Sequence, residues 1–201
     1  MEEVIKKILG KNVLSFKKLP SKSKLLYCVS LPDKTFRLDL LNPNHSEWYL
    51  KITNIQNFAN ENGIEVPKVL ETGFEGNYFY RVSEWISGDI VFNVQESDEV
   101  ILKCGDVLGR MNKVKNRDNL FVTNSDFTGK NLVWTKDKKV FAVDTDAMKL
   151  VPEKSLDITV VKSLLTWKIS KRQIFLFLSS YSKHRDASNI LKIVEERKWR
   201  W

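Results

Sequence analysis

Cysteine and histidine are scarce in this sequence, which has two of each in 201 residues. Disulfide-bonded and zinc-binding proteins depend on these residues. Cys28 and Cys104 are far apart and match no zinc-binding spacing. Neither His45 nor His184 lies in a convincing catalytic or metal-binding pattern. Two isolated thiols are typical of a reducing compartment, so we expect a cytoplasmic protein.

Long apolar runs are also missing. No segment reaches the roughly 20 apolar residues of a transmembrane helix, and residues 1–10 mix charged with apolar residues, unlike a cleavable signal peptide. There is no internal repeat and no low-complexity segment. What the chain does have is 42% hydrophobic residues with six Trp and eleven Phe. This composition predicts a packed globular protein with one good-sized core or two small lobes.

Charge is unevenly balanced, with 33 Lys and Arg against 25 Asp and Glu and a net charge of +8. This balance suits an anionic ligand such as a nucleotide, a phosphorylated glycan or a membrane surface. We expect no nucleic-acid partner, because the sequence has no zinc finger, RNP-like strand or repeated basic-aromatic stripe. The basic, Trp-containing residues 192–201 leave peripheral membrane contact open, although solvated Lys beside core Trp is the simpler interpretation.

The hydrophobic pattern of residues 1–87 predicts a lobe built on a five-stranded antiparallel sheet. The helix that precedes the fourth strand is predicted to begin after the N-cap Ser46 and to end at Asn62. The predicted helices cover residues 1–11 and 46–62, and predicted strands cover residues 14–18, 25–31, 35–41 and 78–86. Residues 64–70 are predicted to be an extended entry to the last two strands, which a hairpin turn at residues 74–78 joins. The connector at residues 19–24 has Ser and Lys residues that would suit phosphates, but it contains no glycine.

After Gly88 the pattern becomes mainly helical. Helices are predicted over residues 98–114, 156–167, 171–181 and 187–199, with one hairpin between the first two. Residues 88–201 therefore form a short, mainly helical lobe. The predicted fold class is α+β, with two lobes in one domain.

Polar residues are concentrated in the hairpin at residues 124–148. Asp126 and Asn131 lie on one turn, an apolar strand follows, and a second strand ends on Asp144 and Asp146. Kinase-type phosphoryl transfer needs an Asp beside the attacking hydroxyl, together with an Asn and a second Asp that hold Mg²⁺ on the phosphates. Taken singly, each residue is also explained as a capped turn or a solvated strand end.

The order of these motifs resembles the protein-kinase-like superfamily, in the branch of aminoglycoside and choline phosphotransferases and compact heptose or Kdo kinases. Asp126 and Asn131 have the family's interval of five residues, and the spacing from Asn131 to Asp144 matches aminoglycoside phosphotransferases. Asp157 resembles the buried Asp that anchors the family's catalytic loop. Residues 83–88 lie where the family has its hinge.

The resemblance implies an ATP- and Mg²⁺-dependent phosphotransferase acting on a hydroxyl of a sugar, lipopolysaccharide core or small alcohol. Asp126 would be the catalytic Asp, and Asn131 and Asp144 would be the magnesium ligands, with Asp146 as a further metal contact. Backbone groups from Glu84 to Ile86 would bind adenine.

The sequence departs from the family in the strand at residues 35–41, where a Lys or Arg is expected to hold nucleotide phosphates. Strand alternation puts Arg37 and Asp39 on the same face, so either Arg37 supplies the charge or Asp39 occupies the lysine position. If Asp39 occupies the lysine position, it could form an ion pair with Lys51 of the following helix, which reverses the family's pair of a strand Lys with a helix Glu. Alternatively, Lys51 would itself be the strand lysine. The altered strand supports a second hypothesis, a pseudokinase acting as a binding or scaffold module. A minimal protein kinase is a third.

Overall fold

The computed structural model describes residues 1–21 and 24–196. The chain divides into two compact units, which are Met1–Asn57 with Pro67–Trp85, and Phe58–Val66 with Ile86–Trp201. The first unit is mostly β-sheet and the second is mostly helical. None of the described helices is long and apolar enough to cross a membrane.

The first unit contains one five-stranded antiparallel sheet. Its strands are β1 (Ser15–Leu19), β2 (Leu25–Ser30), β3 (Thr35–Leu41), β4 (Val69–Glu75) and β5 (Tyr78–Glu84), and its helices are α1 (Glu2–Leu9) and α2 (Ser46–Glu61), which continues into the second unit. The strand order is β1-β2-β3-β5-β4. Five antiparallel strands were predicted, and this prediction is confirmed. Residues 22 and 23 of the predicted phosphate-covering connector lie outside the described residues.

The side chains of strand β3 alternate between an apolar face and a charged face of this sheet. Phe36, Leu38 and Leu40 are buried in a core that also contains Ile5 of α1 and Val82 of β5. Alternation along a strand places successive side chains on opposite faces. Arg37 and Asp39 therefore lie together on the other face.

The start of α2 differs from the predicted cap. A 3₁₀ turn over Pro43–His45 precedes the helix, and the side chain of Asn42 accepts a hydrogen bond from the backbone N of Asn44 at 2.9 Å. The capping residue is therefore Asn42 rather than Ser46, because Pro at the first position of the turn extends the helical segment by one turn.

The second unit combines five helices with two small antiparallel sheets in the residues described. Its helices are α3 (Val91–Val94), α4 (Asp98–Met111), α5 (Leu156–Trp167), α6 (Lys171–Tyr181) and α7 (Ser188–Glu196), and its strands are β6 (Asp89–Ile90), β7 (Phe121–Asn124), β8 (Leu132–Trp134), β9 (Val140–Ala142) and β10 (Met148–Val151). The strand orders are β6-β8-β9 and β10-β7. Helix α4 ends three residues earlier than predicted, and residues 197–201, which include the end of the predicted last helix and most of its basic segment, lie outside the described residues.

Helices α4 and α6 approach each other closely enough for backbone contact. A Cβ atom added to Gly105 would lie 2.1 Å from the backbone O of Phe177, and one added to Gly109 would lie 2.9 Å from the backbone O of Tyr181. Both glycines lie on α4, four residues apart, and therefore share one helix face. The absence of side chains at these positions sets the spacing of the two helices.

Candidate functional site

Residues 125–131 form a compact loop between β7 and β8. The backbone O of Asp126 accepts hydrogen bonds from the backbone N of Thr128 at 3.0 Å and from Nδ2 of Asn131 at 2.9 Å. The backbone N of Asn131 also donates to the backbone O of Thr128 at 2.9 Å. Because its amide nitrogen is used inside the loop, the side chain of Asn131 has its oxygen left to offer to a cation.

The buried side chain of Asn124 joins this loop to the segment that carries Asp144. Its Oδ1 accepts from the backbone N of Asp126 at 2.9 Å, and its Nδ2 donates to the backbone O of Asp144 at 3.1 Å. The neighbouring Ser125 donates from its backbone N to the backbone O of Ala147 at 3.1 Å. One amide side chain therefore fixes the backbones of Asp126 and Asp144 at the same time.

A second connection runs between the two strands of the predicted hairpin. The backbone N of Val143 donates to the backbone O of Asn131 at 2.9 Å, directly beyond the β8–β9 pair of Leu132 with Ala142. Asp126 is exposed, whereas Asn131 and Asp144 are half-buried. The structure thus brings these three predicted site residues into one hydrogen-bonded segment.

Asp146 lies two residues further on, in the turn before β10. The backbone N of Met148 donates to the backbone O of Thr145 at 2.9 Å and closes that turn. Asp146 is half-buried, like Asp144.

The oxygen atoms of this segment suit a hard cation that is shared with a ligand. Within residues 1–21 and 24–196, no three His, Cys, Asp or Glu residues are gathered in a way that could hold a metal ion. Mg²⁺ is usually bound by one or two carboxylates, with waters and substrate phosphates completing the shell. The amide oxygen of Asn131 and the carboxylates of Asp144 and Asp146 fit such a partial set.

In the first unit, Asp39 is completely buried among cations. Its Oδ2 accepts from Nε and Nη2 of Arg81 at 3.0 and 2.5 Å, and its Oδ1 accepts from Nε of Arg37 at 3.0 Å. Nζ of Lys24 lies 3.8 Å from Oδ2. The register of the sheet explains the strongest contact, because Asp39 lies directly opposite Arg81 across β3 and β5.

Burial alone would raise the pKa of Asp39, since a carboxylate loses hydration in the interior. The Coulombic attraction of Arg37, Arg81 and Lys24 outweighs burial and holds the pKa of Asp39 well below its usual range. Asp39 is therefore ionised at neutral pH, and a single negative charge is shared by three cations.

Two hypotheses about Lys51 are wrong. Lys51 lies within α2 and is exposed, so it is not a strand lysine, and Asp39 forms its ion pairs with Lys24, Arg37 and Arg81 instead. Sequence reasoning missed Lys24 and Arg81, which come near Asp39 only through the strand register. An Arg between the apolar residues of the predicted strand at 78–86 was the available signal.

The predicted adenine-binding residues lie at the end of β5 and just after it. The backbone N of Glu84 donates to the backbone O of Lys68 at 3.0 Å, and its carboxylate accepts from the backbone N of Lys68 at 3.0 Å. Ile86 is half-buried and belongs to the second unit. Adenine binding by Glu84 and Ile86 stays a prediction.

The expected role of Asp157 as a buried anchor of the loop is wrong. Asp157 is only half-buried, and its Oδ2 accepts from Nδ2 of Asn189 on α7 at 2.6 Å. Asn124 holds the loop from inside β7 instead. The sequence places Asn124 two residues before Asp126 but does not show that its side chain binds two backbone segments.

No protein-family model matches this sequence, and no curated protein matches it significantly. Solved structures do match. Spectinomycin phosphotransferase, in complex with ADP and spectinomycin, has a TM-score of 0.71 at 11% identity over 98% of this chain and 84% of that one. Choline kinase from Streptococcus pneumoniae has a TM-score of 0.72 at 12% identity over 99% and 88% of the two chains.

An aminoglycoside phosphotransferase from Streptomyces rimosus has a TM-score of 0.67 at 9% identity, over 96% of this chain and 94% of that one. At these identities the likeness establishes the fold and nothing finer. The chain has the α+β, protein-kinase-like fold that aminoglycoside phosphotransferases and choline kinase share.

Proposed function

We propose that this protein is an ATP- and Mg²⁺-dependent phosphotransferase that phosphorylates a hydroxyl group of a sugar, lipopolysaccharide core or small alcohol. The observation that carries the proposal is the pair of bonds from Asn124 to the backbones of Asp126 and Asp144. Spectinomycin phosphotransferase has been solved with ADP and with AMP, which supports a nucleotide as the phosphoryl donor here.

The residues of the second unit divide the catalytic work between them. Asp126 is exposed on its loop, where it would take the proton of the acceptor hydroxyl. Asn131 and Asp144 would hold Mg²⁺, with Asp146 as a further contact. When bound, the metal neutralises charge on the nucleotide phosphates. In the reaction the acceptor oxygen bonds to the γ-phosphorus, whose bond to the bridging oxygen breaks, so that ADP leaves with that electron pair.

The first unit would supply positive charge for the nucleotide phosphates. Arg81 contacts Asp39 through two nitrogen atoms and shares its negative charge with Arg37 and Lys24. We assign phosphate binding to Arg37 and Lys24, which Asp39 positions. In this proposal Asp39 is itself no phosphate contact, and Lys51 has no part. Backbone groups at Glu84 and Ile86 would bind adenine.

Two measurements on the intact protein test the proposal. We expect ATP to raise the melting temperature only when Mg²⁺ is present, because a ligand that binds the folded state stabilises it. Asp144→Asn should abolish the rise in melting temperature that ATP produces in the presence of Mg²⁺. Asp126→Ala should keep that rise, because the nucleotide still binds, but should lose phosphoryl transfer from γ-labelled ATP. Asp137→Asn, an exposed carboxylate change in the β8–β9 turn, is the control. Absence of any nucleotide-induced shift would refute the proposal.

The buried Asp39 specifically favours a second candidate, a pseudokinase that acts as a binding or scaffold module. A nucleotide shift without transfer to any acceptor, equal in the wild type and the Asp126→Ala variant, would establish that alternative. Autophosphorylation that Asp126→Ala abolishes would instead indicate a minimal protein kinase.

A further inference from the structure

Two exposed side chains of the second unit are close together at the loop that carries Asp126, one on the loop itself and one on the helix packed against it. Lys130 occupies the 3₁₀ turn Gly129–Asn131, and its Nζ lies 5.6 Å from the ring centre of Phe92 on α3. Phe92 is 47% exposed, and Lys130 and Asp126 are exposed as well. Since residues 126–131 close on themselves through hydrogen bonds to the backbone O of Asp126, the cation and the carboxylate share one compact turn.

Helix α3 is held firmly against this turn. A Cβ atom added to Gly129 would lie 2.5 Å from Nε1 of Trp167 and 3.2 Å from the backbone N of Phe92. Nε1 of Trp167 donates to Oε1 of Gln95 at 2.9 Å, and the backbone O of Gln95 accepts from Nε2 of Gln173 at 2.8 Å. The exposed ring of Phe92 therefore lies on a segment that contacts with Gly129, Trp167 and Gln173 hold in place.

The charge of Lys130 selects among acceptors. Across residues 1–21 and 24–196, the partner found for Lys130 is the Phe92 ring, and no carboxylate lies within ion-pair distance of its ammonium group. A cation on the loop that carries the reacting group attracts anionic ligands and repels cationic ones. Choline and protonated aminoglycosides are cations, so Lys130 opposes acceptors of their class. An exposed aromatic ring supplies a flat apolar surface that suits the C–H face of a sugar ring.

We propose that the acceptor is an anionic sugar, phosphorylated or carboxylated, whose negative group binds Lys130 while its ring packs on Phe92. This inference rests on the proposed phosphotransferase function and narrows its acceptor class. Lys130 and Phe92 are specificity residues in this arrangement, and Asp126 keeps its role at the hydroxyl.

The test uses one sugar ring in different charge states, namely glucosamine, glucose, glucuronate and glucose 6-phosphate, with binding measured by ligand-observed NMR and transfer measured from γ-labelled ATP. We expect the two anions to bind the wild type about two- to fivefold more tightly than glucosamine, the size expected for one exposed charge contact. Lys130→Glu should reverse that order, and Phe92→Ala should weaken all four compounds alike. Raising the ionic strength should weaken binding of the anions alone.

Lys103→Glu makes the same charge change on the exposed side of α4 and is the matched control, expected to leave the order unchanged. The inference is overturned if neither anion binds, if glucosamine binds as tightly as the anions, or if Lys130→Glu behaves like Lys103→Glu. The Mg²⁺-dependent thermal shift with ATP is measured on the same proteins. A retained shift with no preference for anions refutes the acceptor class alone, whereas a missing shift refutes the phosphotransferase.

Discussion

Asn124→Ala removes two hydrogen bonds of a nearly fully buried side chain, at 2.9 Å to the backbone N of Asp126 and at 3.1 Å to the backbone O of Asp144. A neutral hydrogen bond contributes about 1 kcal/mol, and a buried partner left without one costs about 1–3 kcal/mol. Asp126 is exposed, so its N–H can regain water, whereas Asp144 is half-buried. We therefore expect the free energy of unfolding to fall by about 2–4 kcal/mol.

Urea unfolding followed by circular dichroism measures the stability, and transfer from γ-labelled ATP per folded molecule measures the effect on the site. Asn124→Asp keeps an acceptor for Asp126 but loses the donor to Asp144, so it should damage one of the two contacts. Asn112→Ala is the control, because Asn112 is a buried residue of the same unit whose Nδ2 donates to the hydroxyl of Tyr181 at 3.1 Å.

Both Ala variants should lose stability, with the smaller loss for Asn112→Ala because it removes one hydrogen bond and not two, but Asn124→Ala alone should lose transfer after correction for the folded fraction. A stability loss below about 1 kcal/mol for Asn124→Ala would mean that its two bonds do not hold the loop. Equal transfer by the two variants would refute the idea that Asn124 positions Asp126 and Asp144.

Three further outcomes are expected. Asp39→Asn should lower the free energy of unfolding by about 3–5 kcal/mol, because buried cations lose their shared carboxylate. Glu75→Gln, at a surface ion pair of the same unit, is the control and should lower it by less than about 1 kcal/mol. Urea unfolding measures both changes. The wild type's advantage over Asp39→Asn should be complete at neutral pH and shrink as the pH falls below about 4, because a carboxyl with a depressed pKa loses its contribution when the folded form is protonated. An advantage that grows on acidification, seen in the same unfolding series, would contradict this reasoning. Gly105→Ala should destabilise by about 1–3 kcal/mol, because its Cβ would meet the backbone O of Phe177 at 2.1 Å and force α4 from α6; an unchanged melting temperature would show that these helices have room to spare.

Elements with a strong local pattern could be predicted from the sequence. The bounds of β3, α5 and α6 match their predictions because apolar residues recur along each with an unbroken period. The ends of helices were less predictable. The cap of α2 depends on Asn42 and on a 3₁₀ turn, and no hydrophobic periodicity indicates either of them.

The candidate site also has a part that could be predicted from the sequence and a part that could not. Asp126, Asn131 and Asp144 are close in sequence, and a hairpin brings such residues together without help from distant segments. The surroundings of Asp39 could not be predicted, because Arg81 lies 42 residues away and meets Asp39 only through the register of β3 with β5. Lys51 was placed wrongly because the pattern of α2 does not fix which way its polar side chains face the sheet.

The three cations around Asp39 restrict how this sheet can change in evolution. Asp39→Lys would remove the shared anion and add a fourth cation to a buried place. A reversed pair is compatible with the register only if Arg81 becomes acidic in the same step, since the two residues are directly opposite. A change of charge at Asp39 or Arg81 alone therefore leaves unpaired charges in the interior, so the two residues can change sign only together.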